Sequence, residues 1–140
     1  MRIIALDIGD AWTGVAISDF AGITARPLTT LSSVNLIDQL KVLINKEKVT
    51  EIIIGYPQTL RGTESDQTRK VNTIADEIKK AFPELSCIML DERFTSQQAS
   101  LLHKKKIKTK EEKNKEHAIA AAILLKSYLD HLYFLKMDAP

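Results

Sequence analysis

The 140-residue chain is sparing with the residues that constrain a backbone: it has one cysteine, four prolines, five glycines and one tryptophan. A single cysteine, Cys87, excludes an intrachain disulfide, and a fold without such staples suits the cytosol. Its place in the apolar run Cys87-Ile88-Met89-Leu90 favours a buried, inert thiol over a reactive one. A signal peptide is not expected, because the N-terminal run meets an acid at Asp7. The longest uncharged apolar run, Ala118 to Leu125, falls well short of the ~20 residues that span a bilayer, so a cytoplasmic protein with no membrane segment is expected. A dominant charge sign is also missing. The net charge is +2, so composition alone does not announce a binder of nucleic acid.

What is present reads as one packed domain over residues 1–140. The chain is 44% hydrophobic and 27% charged, the balance of an ordinary globular protein. The charge is unevenly spread. Lys104, Lys105, Lys106, Lys108, Lys110, Lys113 and Lys115 lie within twelve residues, opposed only by Glu111 and Glu112. Such a strip is either a solvated surface segment or a place where phosphates dock and release counterions.

Apolar periodicity sets the element order. Arg2 to Ile8 is nearly continuous apolar, as in a strand buried on both faces. Thr13 to Ser18 alternates, and Ile23 to Leu31 follows, with Pro27 demoting part of it to a sheet edge. Short turns predict that these three form an antiparallel meander. Leu36, Ile37, Leu40, Leu43 and Ile44 recur at helical spacing. Glu51 to Gly55 is a short buried strand. Val71, Ile74, Ala75, Ile78 and Phe82 mark a second helix stopped by Pro83, and Ser86 to Leu90 is a fifth strand. Thr95 and Gln98 fit a capping box opening a third helix to about His103. A last helix is expected from about Glu116 to Leu135, with Ile119, Ile123 and Leu124 on its apolar side. Helical crossovers make the later strands parallel. The expected architecture is an α/β sheet of five strands, three antiparallel then two parallel, with helices on both faces. That is the order of a ribonuclease H-like fold.

The chemistry is carried by acids at strand ends. Asp7 ends an apolar run and precedes Gly9, which places it at the carboxyl end of a buried strand, where open α/β sheets bind ligands. A carboxylate there needs a cation or a donor, unless it only caps a turn. Asp91 and Glu92 end the fifth strand in the same way. Alternation sends them to opposite faces, or they pair with Arg93 at the surface. Carboxylates on separate strands can hold Mg²⁺ or Mn²⁺ through oxygen, given a third ligand from a neighbouring helix. Glu116 and His117, in the first turn expected for the last helix, are the available groups. Trp12 is either an apolar hairpin contact or a surface on which an unpaired base stacks.

These residues together resemble the YqgF (RuvX) family. Ala5-Leu6-Asp7-Ile8-Gly9 with Gly14-Val15-Ala16-Ile17-Ser18-Asp19 is similar to its opening, L-D-x-G-[TS]-[KR]-R-x-G-V-A-x-S-D. Ala25-Arg26-Pro27-Leu28, Ile54-Gly55-Tyr56-Pro57 and Gly62-Thr63-Glu64 resemble its A-x-P-L and G-L-P…G-T-E steps. Asp91-Glu92-Arg93-Phe94-Thr95-Ser96 with Ala99 resembles D-E-R-L-T-T-x-x-A, and Ala120 to Leu129 its closing helix. The likeness spans nearly the whole chain in order, and the D-E-R step is its most specific member. It implies a ribonuclease H-like nuclease that matures the 5′ end of pre-16S ribosomal RNA, with kinship to Holliday junction resolvases. Asp7 and Glu92 would then be catalytic acids, with Asp91 beside them.

The chain departs from the family pattern where His117 stands in place of the third acid, and where Ala11-Trp12 replace the basic pair. His117 could complete the metal shell, and an imidazole suits Mn²⁺ better than Mg²⁺. It could also move a proton near neutral pH. The leading expectation is a metal-dependent nuclease, monomer or homodimer, acting on structured RNA or branched DNA. Asp7, Asp91, Glu92 and His117 would be its ligands, and Arg93, Lys104, Lys105, Lys106 and Lys108 would hold phosphates. The alternatives are a Holliday junction resolvase and a weakly catalytic RNA-binding assembly factor. A third, an ATPase of the actin and sugar-kinase type suggested by Asp7-Ile8-Gly9, would need a second lobe.

Overall fold

A computed structural model of the chain describes residues 2–56, 66–91 and 110–137, with the side chains of the last segment described from Lys115 to Lys136. Pro57, Gly62-Thr63-Glu64, Glu92, Arg93, the helix expected from Thr95, and Lys104, Lys105, Lys106 and Lys108 lie outside the described residues.

Five strands form one sheet in the order β3-β2-β1-β4-β5. They are β1 (Ile3–Ile8), β2 (Trp12–Ser18), β3 (Ala25–Ser32), β4 (Glu51–Tyr56) and β5 (Ser86–Asp91). β1 pairs antiparallel with β2, and β2 with β3; β4 lies parallel to β1, and β5 parallel to β4. The mixed sheet expected from the element order is therefore observed. Pro27 has no N–H to give, and it sits on β3 at the end of the described sheet. There it pairs with Ala16, where the register slips between Val15 and Ala16.

Two helices come after these strands in sequence: α1 (Leu36–Glu47) after β3, and α2 (Asp66–Ala81) after β4. The third, α3, runs from Lys110 to Met137. Strand alternation divides the core between the two sheet faces. On one face Ile4, Leu6, Ile8, Val15, Ile17, Ile52 and Ile54 pack with Leu36, Leu40 and Ile44 of α1 and with Val71, Ala75 and Ile78 of α2. On the other, Ile3, Ala5, Ala16 and Ile53 pack with Ala121, Leu124, Leu125 and Leu129 of α3. Strands buried from both sides need nearly unbroken apolar sequence, which is why β1 and β4 carry their acids, Asp7 and Glu51, only near an end. Cys87 leans on the α1–α2 face but is only partly buried, short of the full burial expected, and that partial burial pushes its thiol up.

The last helix corrects the sequence reading in three ways. It starts at Lys110, not near Glu116, because Lys110-Glu111-Glu112-Lys113 are good helix formers and no stop signal precedes His117. His117 thus lies about two turns inside the helix rather than in its first turn. Ile119 is exposed, and the buried stripe is Ala118, Ala121, Leu124, Leu125 and Leu129. The segment Lys115–Lys136 is also long and apolar enough, by length and composition, to cross a membrane. The expectation of no such segment missed this because it counted only an unbroken apolar run. In this fold the apolar side of the segment covers the sheet.

Gly14 sets how close α3 comes to the sheet. A Cβ built on Gly14 would overlap the backbone carbonyl of His117 and the amide nitrogen of Ala118. Helix backbone therefore lies directly on strand backbone, a contact that only glycine allows. Gly14→Ala should push α3 off β2 at a cost of about 1–3 kcal/mol or more. The expected readout is a Tm at least ~4 °C lower, with the secondary-structure signal retained; an unchanged Tm would mean the contact is slack.

At the far end of α3, the Tyr128 hydroxyl donates to Glu51 Oε1 at 2.7 Å. Burial, then this bond and the Glu51 charge, push the phenol up to about 12 from 10.0. A group raised by folding adds stability that is complete below its unfolded value and fades as pH climbs through the folded one. Stability should therefore fall between about pH 10 and pH 12. Tyr128→Phe should remove this part of the fall; equal alkaline profiles in denaturant titrations would refute the assignment.

Candidate active site

The carboxyl ends of β1, β4 and β5 point the same way, since these strands are parallel. Asp7 is the penultimate residue of β1 and lies opposite Gly14 of β2. Alternation puts it with Ile3 and Ala5, on the face covered by α3. Gly14 has no side chain, so the space above Asp7 is filled by α3 instead, and His117 comes down beside the carboxylate.

His117 Nδ1 lies 2.9 Å from Asp7 Oδ2, joining residues that are 110 apart in sequence. A carboxylate can only accept, so Nδ1 is the donor. The side chains are 35% exposed for His117 and 19% for Asp7, so the pair is half-buried and reachable from solvent. The hydrogen bond to Asp7 raises the His117 pKa above 6.5; partial burial opposes this, and the negative charge of Asp7 adds to it. Gly9 completes the fit. A Cβ there would meet the Trp12 carbonyl oxygen at 2.7 Å and His117 Cε1 at 2.9 Å. Glycine is needed here for room beside the imidazole.

Sequence left Glu116 and His117 as alternatives, about 100° apart around a helix. The rotation of α3 brings His117 to Asp7. Glu116, its neighbour on the helix, has one carboxylate oxygen shut off from water. Asp91 closes β5 opposite Tyr56 of β4. Alternation assigns it to the face of Cys87 and Met89, the one packed by α1 and α2, and so opposite to Asp7. The next residue along the strand direction is Glu92.

A divalent ion fits the donor chemistry of Asp7 and His117. The 2.9 Å contact is a hydrogen bond with its proton on Nδ1, so that nitrogen would bind an ion only after giving up this proton. Oxygen with imidazole nitrogen is a donor set suited to Mn²⁺. Among the described residues no group of three His, Cys, Asp or Glu side chains forms a metal site, so a third ligand must come from elsewhere.

The turn beyond Asp7 is tied from both sides. Gly9 N donates to Trp12 O at 2.9 Å, and Ser33 N to Ala11 O at 2.9 Å. From α2, Gln67 Nε2 donates to Ile8 O at 2.9 Å. Lys70 Nζ donates to Asp10 Oδ1 at 2.9 Å. Asp10 and Lys70 are largely exposed, so their ion pair contributes at most ~1 kcal/mol. Its consequence is positional: it sets a cation beside the site, at a turn that carries none of its own. Sequence reading missed Gln67 and Lys70, and no local signal marks them, because sixty residues separate Lys70 from Asp10. Gly14 could have been found, since glycine inside a strand often marks a close backbone approach.

The RuvX family model, described as Holliday junction resolvase, matches residues 1–131. A protein of Sulfurihydrogenibium sp. (strain YO3AOP1), named "Putative pre-16S rRNA nuclease", is 39% identical over 95% of this chain and 92% of its own length. A protein of the same name from Thermoanaerobacter pseudethanolicus is 38% identical over 93% of this chain and 96% of its own. Among solved structures, Thermus thermophilus RuvC in complex with a Holliday junction substrate superposes with a TM-score of 0.59 at 13% identity, covering 99% of this chain and 96% of that one. The fowlpox virus Holliday junction resolvase superposes with a TM-score of 0.56 at 18% identity, over 94% and 99%. At those identities the likeness establishes the ribonuclease H-like fold. The family match and the near-full-length relatives go further: the chain belongs to the RuvX family and is a nuclease, a hydrolase of phosphodiester bonds.

Proposed function

We propose that the chain is a divalent-metal-dependent nuclease for structured RNA that trims the 5′ end of pre-16S ribosomal RNA. The observation that carries this reading is the Asp7–His117 contact at the carboxyl end of β1. The names of the full-length relatives supply the substrate. Asp7 and Glu92 hold the cation, and His117 completes the set through a nitrogen that now binds Asp7. Asp91, assigned to the other strand face, is left outside the ligand set. A bound divalent ion supplies a more acidic attacking water and offsets charge on the phosphate. The chain's own residues then have separate tasks. Gly9 and Gly14 keep α3, and with it His117, close to Asp7, and Arg93 with Lys104, Lys105, Lys106 and Lys108 grips the substrate backbone. A second reading, cleavage of branched DNA, is favoured by the description of the family model.

Asp7→Asn keeps shape but removes the ligand charge. It should lower cleavage of a pre-16S 5′-leader RNA by about 100-fold or more, since a metal contributes several kcal/mol to the transition state. Cleavage that survives the change, or none by the unmodified protein on leader RNA or a four-way junction with either metal, would overturn the nuclease assignment for these residues. The imidazole also predicts a metal preference. Calorimetry should find Mn²⁺ bound more tightly than Mg²⁺, and His117→Asp should move the preference toward Mg²⁺. An unaltered metal profile would place His117 outside the ligand shell.

A further inference from the structure

Trp12 is the chain's only tryptophan, and it stands where the family pattern has an arginine. It opens β2, two residues before Gly14. Gly14 lies opposite Asp7, and alternation places Trp12 on the same sheet face as Asp7 and His117. Asp7 and Trp12 are therefore diagonal cross-strand neighbours, whose Cα atoms stand about 7–8 Å apart. The backbone beneath the indole is rigid. The Trp12 carbonyl accepts from Gly9 N, and Ala11, one residue before it, accepts from Ser33 N. The Trp12 side chain is only partly covered. Among the described residues, no aromatic ring or cation packs on it: the one ring pair is Tyr133 with Phe134, and the one cation–ring contact is Arg2 over Phe20. Ala16, further along the same sheet face, is fully buried, whereas Trp12 keeps part of its surface open to solvent.

We infer that the Trp12 indole is a stacking subsite for one unpaired nucleobase next to the scissile phosphate, and that it selects substrates with a single-stranded nucleotide at that position. This rests on the nuclease reading of Asp7. Every base offers a π face to an indole once it is unstacked, whereas paired bases inside a helix cover each other's faces. A stacking residue at this distance from the catalytic carboxylate therefore discriminates by pairing state, not by base identity. The replacement also moves the charge. Lys70, held at the same turn by Asp10, lies within reach of a phosphate flanking the stacked nucleotide. The cation comes from α2, and the turn itself presents a ring.

The sole tryptophan makes the test direct, because protein fluorescence excited at the red edge reports Trp12 alone. In the Asp7→Asn background, the probes are an RNA hairpin with a 5′ uridine overhang, the same hairpin with an abasic site in the overhang, a DNA counterpart, and a blunt RNA duplex. The overhang probes should quench Trp12 saturably, and the abasic and blunt probes should not. Trp12→Ala should weaken overhang binding by roughly 5- to 100-fold and leave blunt-duplex binding unchanged. Trp12→Phe should restore most of the affinity, and Trp12→Leu, which keeps apolar bulk without a ring, should not. That Phe–Leu comparison holds even if the alanine variant fails to fold.

Equal quenching by duplex and overhang, indifference to the abasic site, equal affinities for Phe and Leu, or no binding of any probe would overturn the subsite. The two readings fail separately. Asp7-dependent cleavage without Trp12 quenching removes the subsite alone. Overhang-specific quenching in a protein that cuts nothing removes the nuclease role of Asp7 and leaves a single-strand binding site.

Discussion

The site depends on one close approach, helix backbone laid on strand backbone at Gly14. A side chain of any size there would lift α3 from β2 where His117 begins its descent to Asp7. The contact does two things at once. It buries Ala118 and packs Ala121 into the second core. It also brings an imidazole to a carboxylate that would otherwise stand at a strand end without a counterpart. Stability and site geometry thus share one constraint, and neither can be loosened without the other.

The pairing of a carboxylate with a histidine changes the electrostatics of the pocket. A third acid in that position would repel Asp7 until a cation arrived. An imidazole attracts it, and the raised His117 pKa is the consequence. The pair is therefore settled as it stands, each side chain held by the other. On the metal reading proposed above, an ion would have to displace the Nδ1 proton that joins the pair.

Around this centre the chain has redistributed charge. The turn after β1 carries Asp10, Ala11 and Trp12, and a cation returns to it from α2 through Lys70. Gln67, one turn earlier on the same helix, fastens the end of β1. The N-terminal part of α2 therefore belongs to the site as much as β1 does. Its residues are ordinary surface types that mark nothing in the linear sequence.

Local patterns determined much of this protein. Continuous apolar strands, helical spacing in α1 and α2, and Pro27 at a sheet edge follow from side-chain chemistry within a few residues. So does the position of Asp7 near the mouth of the sheet, because a carboxylate is tolerated close to the open end of a buried strand more readily than at its middle. The start of α3 was misplaced because a lysine-rich segment satisfies a helix as well as a loop. Its buried stripe was misread because Ile119 and Ala121 differ in burial through neighbours that no local pattern contains. Tertiary structure alone decided that His117 and not Glu116 meets Asp7, that Asp91 belongs to the opposite face, and that Lys70 reaches Asp10. Each of these is set by the rotation or register of one packed element against another. That is a property of contacts between distant segments, and it is expressed only after the chain has folded.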